Sequence, residues 1–434
     1  MLARLMSLLG VVALLGIAWL MSNNKKRINY RTVVVGLSIQ FVLGFLLLYW
    51  QPGQDFFKWF ATLVKSFLAL SEQGSRFLFG NLADAGHFFT DGSYWPGFGF
   101  QFAFLVLPTI IFFSAFMSML YYLGIMQRFI RFLARFMQKA LGTSGSETLS
   151  VTANIFVGQT EAPLLIRPFL DKMTQSELLT VMVGGFATIA GGVLAGYIGM
   201  GIPAGHLIVA SVMSAPAALV VAKIIYPETE QSQTAGNVEM PEIDAGRNLI
   251  DAAARGTTDG LKLAVNVGAM LIAFISIIAF FDWVLGYLDA LIDGRWLEGV
   301  QLAGGEFKGW VPGSLQTIFG TLLAPLAFLM GVPWSDATQI GNLLGIKLSV
   351  NEFVAYAQLG EYMQGGVISE RAQIIATYAL CGFANFSSIG IQIGGISALA
   401  PNRRSDLSRL GLKAMFGGAI ASWITATIAG VIIP

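Results

Sequence analysis

Gly158-Gln159-Thr160-Glu161-Ala162-Pro163 and Gly345-Ile346-Lys347-Leu348-Ser349-Val350-Asn351-Glu352-Phe353-Val354-Ala355-Tyr356 decide how this chain reads. Each sets a carboxylate, Glu161 or Glu352, among polar residues at the head of an apolar, helix-like run. Thr160 and Asn351 are N-cap types, and Pro163 fits only a first helical turn, so each glutamate is expected to open a half-helix. Free backbone N–H groups and the helix dipole favour an anion there.

Charge is scarce around these segments. Of 434 residues, 55% are hydrophobic and 12% charged, with a mean hydropathy of +0.68. Soluble domains spend about a quarter of their residues on charge, so the solvent here is lipid. A net charge of +1 gives no electrostatic case for nucleic acid. Cys381 is the single cysteine, which excludes an intrachain disulfide and a thiolate metal cluster. His87 and His206 are far apart and form no ligand pattern. No organic cofactor is expected.

The apolar runs are continuous rather than alternating, which indicates helices and not a barrel. Runs long enough to span, roughly 20 residues each, lie near 3–21, 30–50, 98–124, 178–200, 203–225, 260–285, 371–398 and 411–433. The first has no small-x-small cleavage site and reads as a retained helix. Residues 226–246 read as a solvated loop. Basic residues prefer the cytoplasm. Lys25, Lys26, Arg27, Arg128, Arg131, Lys223, Arg247, Arg403 and Arg404 all fall on odd-to-even connections, whereas Asp55, Asp84, Asp91, Asp289 and Asp293 fall on the others. Both termini are therefore expected outside, in a multi-pass protein of a bacterial inner membrane.

The chain also repeats itself. Gln127 and Ser146 are 19 residues apart, as are Gln316 and Ser335. Glu147 and Asp336 follow directly, and Glu161 and Glu352 come 14 and 16 residues later. Phe186-Ala187-Thr188-Ile189-Ala190-Gly191-Gly192 then corresponds to Phe383-Ala384-Asn385-Phe386-Ser387-Ser388-Ile389-Gly390. One span, 260–285, separates the copies, so the second enters from the opposite face. That is the inverted-repeat pattern of secondary transporters, whose site lies at the repeat interface. The expected architecture is an all-α polytopic membrane protein with eight transmembrane helices, two re-entrant hairpins and broken helices at the site. Its divisions are 1–125, mainly scaffold; 126–225, the first repeat; 226–313, a cytoplasmic loop, connecting span and outer loop, again scaffold; and 314–434, the second repeat.

Glu161 and Glu352 could instead be solvated loop ends, or pair with Arg167 or Lys347. Carboxylates inside so apolar a chain more often mark a pathway. Gly192-x-x-x-Gly196 and Gly390-x-x-x-Gly394 fit close helix packing, and the same glycines fit unwound backbone facing a site. Asn385 favours the second reading in its copy, because a mid-span amide needs partners.

These motifs, in this order over about 145–400, resemble the concentrative nucleoside transporters in their bacterial eight-span form. The resemblance implies a homotrimer, a central scaffold and transport domains that move as elevators, carrying a nucleoside such as uridine with Na+, or alternatively H+. It places Gln159, Thr160 and Glu161, with Val193 and Phe383, at the base, and Glu352, Asn385 and Ser388 at the ribose. It places Na+ on Asn154, Thr188 and the carbonyls of Val157 and Ile189. The alternative is an elevator-type transporter of another small polar solute such as an amino acid, but an anionic substrate would call for a cation at the hairpin tips. A membrane-embedded enzyme built on the two glutamates lacks a rationale for the repeat, and no ring of charge suggests a channel. In a Cys381→Ala background, single cysteines near position 235 should resist membrane-impermeant thiol reagents in intact cells, while those near 300 should be labelled. The reverse pattern would overturn the orientation.

Overall fold

The computed structural model describes residues 2–83, 101–236, 246–296 and 311–433, and every regular element among them is helical. In order these are α1 (Leu2–Leu20), α2 (Tyr30–Gly44), α3 (Gln51–Ala69), α4 (Ser71–Phe79), α5 (Phe102–Leu105), α6 (Leu107–Tyr122), α7 (Ile125–Leu141), α8 (Gly145–Ala153) and α9 (Arg167–Leu170). Next come α10 (Gln175–Ala187), α11 (Gly191–Gly199), α12 (Ala204–Ile225), α13 (Leu249–Trp296), α14 (Leu315–Leu329) and α15 (Trp334–Ser349). The last are α16 (Glu352–Gln364), α17 (Glu370–Leu380), α18 (Phe386–Leu399) and α19 (Arg404–Ile432). The expected positions of His87, Asp84 and Asp91, the loop stretch 237–245 and position 300 lie outside the described residues.

Among the described residues, seven stretches are long and apolar enough to cross a bilayer: Ala3–Leu20, Tyr30–Tyr49, Phe102–Tyr122, Gln175–Gly199, Ala204–Ile225, Leu249–Asp293 and Pro401–Ile432. The expected span at 371–398 is divided by Cys381–Asn385 into α17 and α18, each too short to cross alone. α14 and α15 fold back on each other with a bend of 116°. The order of elements runs the same way in both halves. A helix (α7 or α14) leads to a hairpin arm (α8 or α15), a break carrying a glutamate, a divided pair (α10 and α11, or α17 and α18) and a long helix (α12 or α19).

Burial separates two layers. In the windows around α10–α11, α12 and α19, 94%, 89% and 83% of residues are buried, so these helices form the core, with α17 packed on α19. α6 and α13 pack along each other at the periphery, with only 17% and 12% of the residues in their windows buried; α6 is mostly half-buried and α13 mostly exposed. Gly256 and Gly260 set that pairing: a Cβ at Gly256 would stand 2.6 Å from the Ser114 carbonyl oxygen, and one at Gly260 2.8 Å from Ile111 Cα. Small residues four apart let two backbones approach in this way. Gly390 and Gly394 behave differently, since a Cβ at either would meet nothing within 4 Å. The small-residue packing expected for the second copy is therefore not made among the described residues.

Residues 226–236, read from sequence as solvated loop, form a polar clasp beneath the first hairpin. Thr234 Oγ1 lies 2.8 Å from Ser146 Oγ, Ser232 Oγ donates to Glu177 Oε1 at 2.6 Å, and Thr174 Oγ1 donates to Glu228 Oε2 at 2.8 Å. Behind the clasp, Lys223 Nζ pairs with Glu147 Oε2 at 2.7 Å, both side chains buried. The segment stays a largely exposed loop, and its polar side chains supply partners for polar groups where the hairpin and core helices end.

Glycine substitutions separate the two packing situations. Gly256→Ala and Gly260→Ala should each cost about 1–3 kcal/mol of stability by overpacking. Gly390→Ala and Gly394→Ala should cost nothing and gain up to about 1 kcal/mol through helix propensity. Thermal unfolding of the purified protein in detergent measures both; equal losses at all four positions would refute the packing.

Candidate functional site

Four breaks in helices converge in the interior. The first hairpin breaks between α8 and a 3₁₀ turn, Ala162–Ile166, and the second between α15 and α16. The divided pairs break at Thr188–Ala190 and Cys381–Asn385. The breaks are tied together: Gly191 N–H donates to the Phe156 carbonyl at 3.1 Å. Gly382, with φ of 131°, lies against the end of α10, where a Cβ would stand 2.6 Å from the Phe186 carbonyl oxygen. Only glycine combines that left-handed backbone with so close an approach.

The second copy is capped by amides. Asn351 Oδ1 accepts from Val354 N–H at 3.0 Å and starts α16. Asn385 Oδ1 accepts from Ser388 N–H and Ser387 Oγ, each at 2.8 Å, and starts α18. Asn385 Nδ2 is thereby aimed at Glu352 Oε2, 3.0 Å away, while Tyr197 Oη donates to Glu352 Oε1 at 3.2 Å. Glu352 is 3% exposed, and each oxygen keeps a further acceptor site. The ion pair with Lys347 is not made: Lys347 Nζ donates to the Ala379 carbonyl at 2.8 Å. Nor does Arg167 pair with Glu161 among the described residues.

The first copy is built differently. Thr160 does not serve as an N-cap; Glu161 occupies that position of the 3₁₀ turn, with no side-chain capping bond. Thr160 Cγ2 instead rests on α18, 2.8 Å from where a Cβ at Gly395 would stand. The Glu161 carboxylate folds over Gly158, its Oε2 2.1 Å from the place a Cβ would occupy. Pro163 lies within the first turn of this 3₁₀ segment.

A cavity of about 480 Å³, within the usual range of small-molecule sites, is lined by Gln159, Thr160, Glu161, Val193, Glu352, Phe383, Asn385 and Ser388. All eight sequence-derived substrate residues therefore share one space. Asn266 and Leu263 of α13 close it from the other layer, and sequence reasoning missed them. Tyr197 and Gln392 were also missed; Gln392 is fully buried and donates to Gln159 Oε1 at 3.0 Å. Gln392 was open to the argument made for Asn385, an amide inside an apolar run. An adjoining space of about 610 Å³ shares Glu161, Ala190, Leu263 and Asn266 and continues past Lys262 and Asp259.

The four residues expected to hold a cation lie beside the two breaks of the first copy. Asn154 ends α8 and Thr188 ends α10. Asn154 is 1% exposed, and neither its Oδ1 nor its Nδ2 has a partner among the described residues. Among the described residues no backbone N–H donates to the carbonyls of Val157 or Ile189. Two helix C-termini, with their excess of carbonyl oxygen, converge there. Thr188 Oγ1 donates to the Gly184 carbonyl at 2.8 Å, leaving its lone pairs free. Buried, unpaired neutral oxygens suit a hard monovalent cation.

Residues 9–82 and 206–430 match the family described as Na+ dependent nucleoside transporter, N-terminus and C-terminus, and residues 103–204 match one described as nucleoside recognition. The chain is 44% identical to the nucleoside permease NupC of Helicobacter pylori over 99% of this chain and 98% of that protein. It is 43% identical to the sodium/nucleoside cotransporter 1 of Mus musculus over 99% of this chain but 64% of that one. The solved structure of CNTnw in an inward-facing substrate-bound state superposes with a TM-score of 0.88 at 44% identity, over 99% of this chain and 98% of that one.

The contrast between the copies is testable without substrate. Asn385→Ala removes a cap and should lower stability by about 0.5–2 kcal/mol. Thr160→Val, which deletes a hydroxyl that caps nothing, should stay within about 0.5 kcal/mol. Thermal unfolding compares them, and an equal loss in both would contradict the capping assignment.

Proposed function

The chain belongs to the concentrative nucleoside transporter family, and from that premise we propose that it imports nucleosides across a bacterial inner membrane with a coupling cation, Na+ in preference to H+. The observation that carries this reading is the single cavity that gathers all eight expected residues from both halves of the chain. Glu352 offers one free lone-pair site per oxygen to ribose hydroxyl donors. Asn385, its oxygen already committed to capping, offers its second Nδ2 hydrogen to a ribose oxygen, and Ser388 stands alongside. Phe383 and Val193 supply apolar faces for the base plane, and Gln159, Thr160 and Glu161 supply polar groups for its edge.

The coupling ion is placed on Asn154, Thr188 and the Val157 and Ile189 carbonyls, next to the first hairpin. Binding there orders the hairpin tip and offsets the Glu161 charge, so ion and nucleoside each tighten the other by the same factor. We take α17 with α18 as the eighth span, the two hairpins as re-entrant, and the repeats as inverted. The α6–α13 layer is then scaffold in a homotrimer, and the α10–α12 and α15–α19 body is the moving element of an elevator. With both termini outside, the space past Asp259 and Lys262 is the cytoplasmic release path.

One cation carried with a neutral nucleoside is electrogenic, and a potential of about 100 mV contributes roughly 2.3 kcal/mol to accumulation. Labelled-uridine uptake into proteoliposomes under imposed gradients tests the scheme. Wild type should concentrate uridine with inward Na+, Asn154→Ala should raise the half-saturating Na+ more than it lowers maximal uptake, and Glu352→Gln should lose about 1.5–3 kcal/mol of uridine affinity. Uptake that ignores Na+ and follows the proton gradient would remove the sodium assignment.

A further inference from the structure

Gln392 lies on α18 two turns beyond the Asn385 cap, fully buried, and the transport scheme gives it no task. Its Nε2 donates to the Met182 carbonyl at 3.1 Å and to Gln159 Oε1 at 3.0 Å. A backbone carbonyl can only accept, so the nitrogen end of the Gln392 amide must face it. Gln392 Oε1 is left without a partner among the described residues. Turning the amide over would set that oxygen against two acceptors. The orientation then passes to the next side chain. Because Gln159 presents its oxygen to Gln392, its nitrogen must point the other way, toward Ser388 Oγ at 3.3 Å and the cavity. Gly185 of α10 makes room for the pair: a Cβ there would stand 2.6 Å from Gln392 Nε2 and 2.9 Å from Gln159 Cβ.

We propose that Gln392 is a positioning residue that sets the hydrogen-bond polarity at the base end of the site. Through it Gln159 offers the nucleobase an N–H donor and never an acceptor, which selects bases that present a carbonyl or ring-nitrogen acceptor at that edge. This rests on the reading that Gln159 meets the base. The amide of Gln159 alone could turn either way, so the selectivity resides in the buried neighbour that fixes it.

Two variants separate positioning from packing. Gln392→Glu replaces the donor by an acceptor, so Gln159 should turn its nitrogen to the new side chain and show its oxygen to the cavity. Gln392→Met keeps the length and fixes neither orientation. Isothermal titration of uridine, 2-thiouridine, 4-thiouridine and cytidine varies the acceptors of the base, and 3′-deoxyuridine serves as the ribose control. In wild type at least one base exchange should weaken binding fivefold or more. That penalty should vanish or invert in Gln392→Glu and flatten in Gln392→Met, while the ribose penalty stays within twofold of wild type. If Gln392→Glu does not fold, Gln392→Met carries the comparison. Uniform weakening of every ligand, or base penalties unchanged in the variants, would overturn the proposal and leave nucleoside transport standing. Failure of wild type to bind any nucleoside would instead remove the functional reading itself, and an unchanged base penalty in Gln159→Ala would remove its assignment of Gln159 to the base.

Discussion

A helix that ends inside an apolar protein leaves backbone groups that lipid cannot satisfy, and this chain ends helices at four places near one another. Each exposed N–H or carbonyl left unpaired costs of the order of 1–3 kcal/mol, so the breaks persist only where something answers them. Asn351 and Asn385 answer the N-termini of α16 and α18, the Phe156 carbonyl takes Gly191 N–H, and Gly382 allows the second break to lie on the first. The cavity is the space these interactions leave. Part of its polar lining follows from capping: Asn385 points its amide at Glu352 because its oxygen is holding α18.

This separates what could be read from the sequence from what could not. The glutamates at the breaks and the breaks at Thr188 and Asn385 follow from local signals, namely polar residues, glycine and proline inside long apolar runs. The division of 371–398 was visible in Gly382 and Asn385. The partners of Glu352 were not. Tyr197 sits 155 residues away on α11, where a tyrosine in an apolar helix is usually core, and only the fold brings its hydroxyl to 3.2 Å from the carboxylate. Lys347 was open to reading as an ion-pair partner because it is near Glu352 in sequence; its side chain runs instead to the end of α17. Thr160 was misread as a cap because the motif shows a proline two positions after a glutamate, but not that the turn would be 3₁₀. The α13 contribution from Asn266 is a single amide in a 48-residue helix, with no local mark of which face meets the cavity.

The two halves share an order of elements, yet their asparagines stand at opposite ends of helices, and the chemistry follows. Asn154 and Thr188 stand at the C-termini of α8 and α10, where carbonyl oxygens accumulate and the dipole is negative. Asn351 and Asn385 stand at the N-termini of α16 and α18, where N–H groups accumulate and the dipole is positive. One residue type thus has opposite consequences. Asparagine at the N-termini spends its oxygen on the backbone and leaves N–H donors beside a buried carboxylate. Asparagine at the C-terminus of α8 has no N–H to cap and keeps a buried oxygen unpaired. A cation suits the C-terminal arrangement and a hydroxylated solute the N-terminal one, so the shared order of elements supports a proposed pair of different sites, one for the ion and one for the sugar. Gly191 N–H donates to the Phe156 carbonyl, which ties the break after α10 directly to the hairpin that carries Gln159 and Glu161.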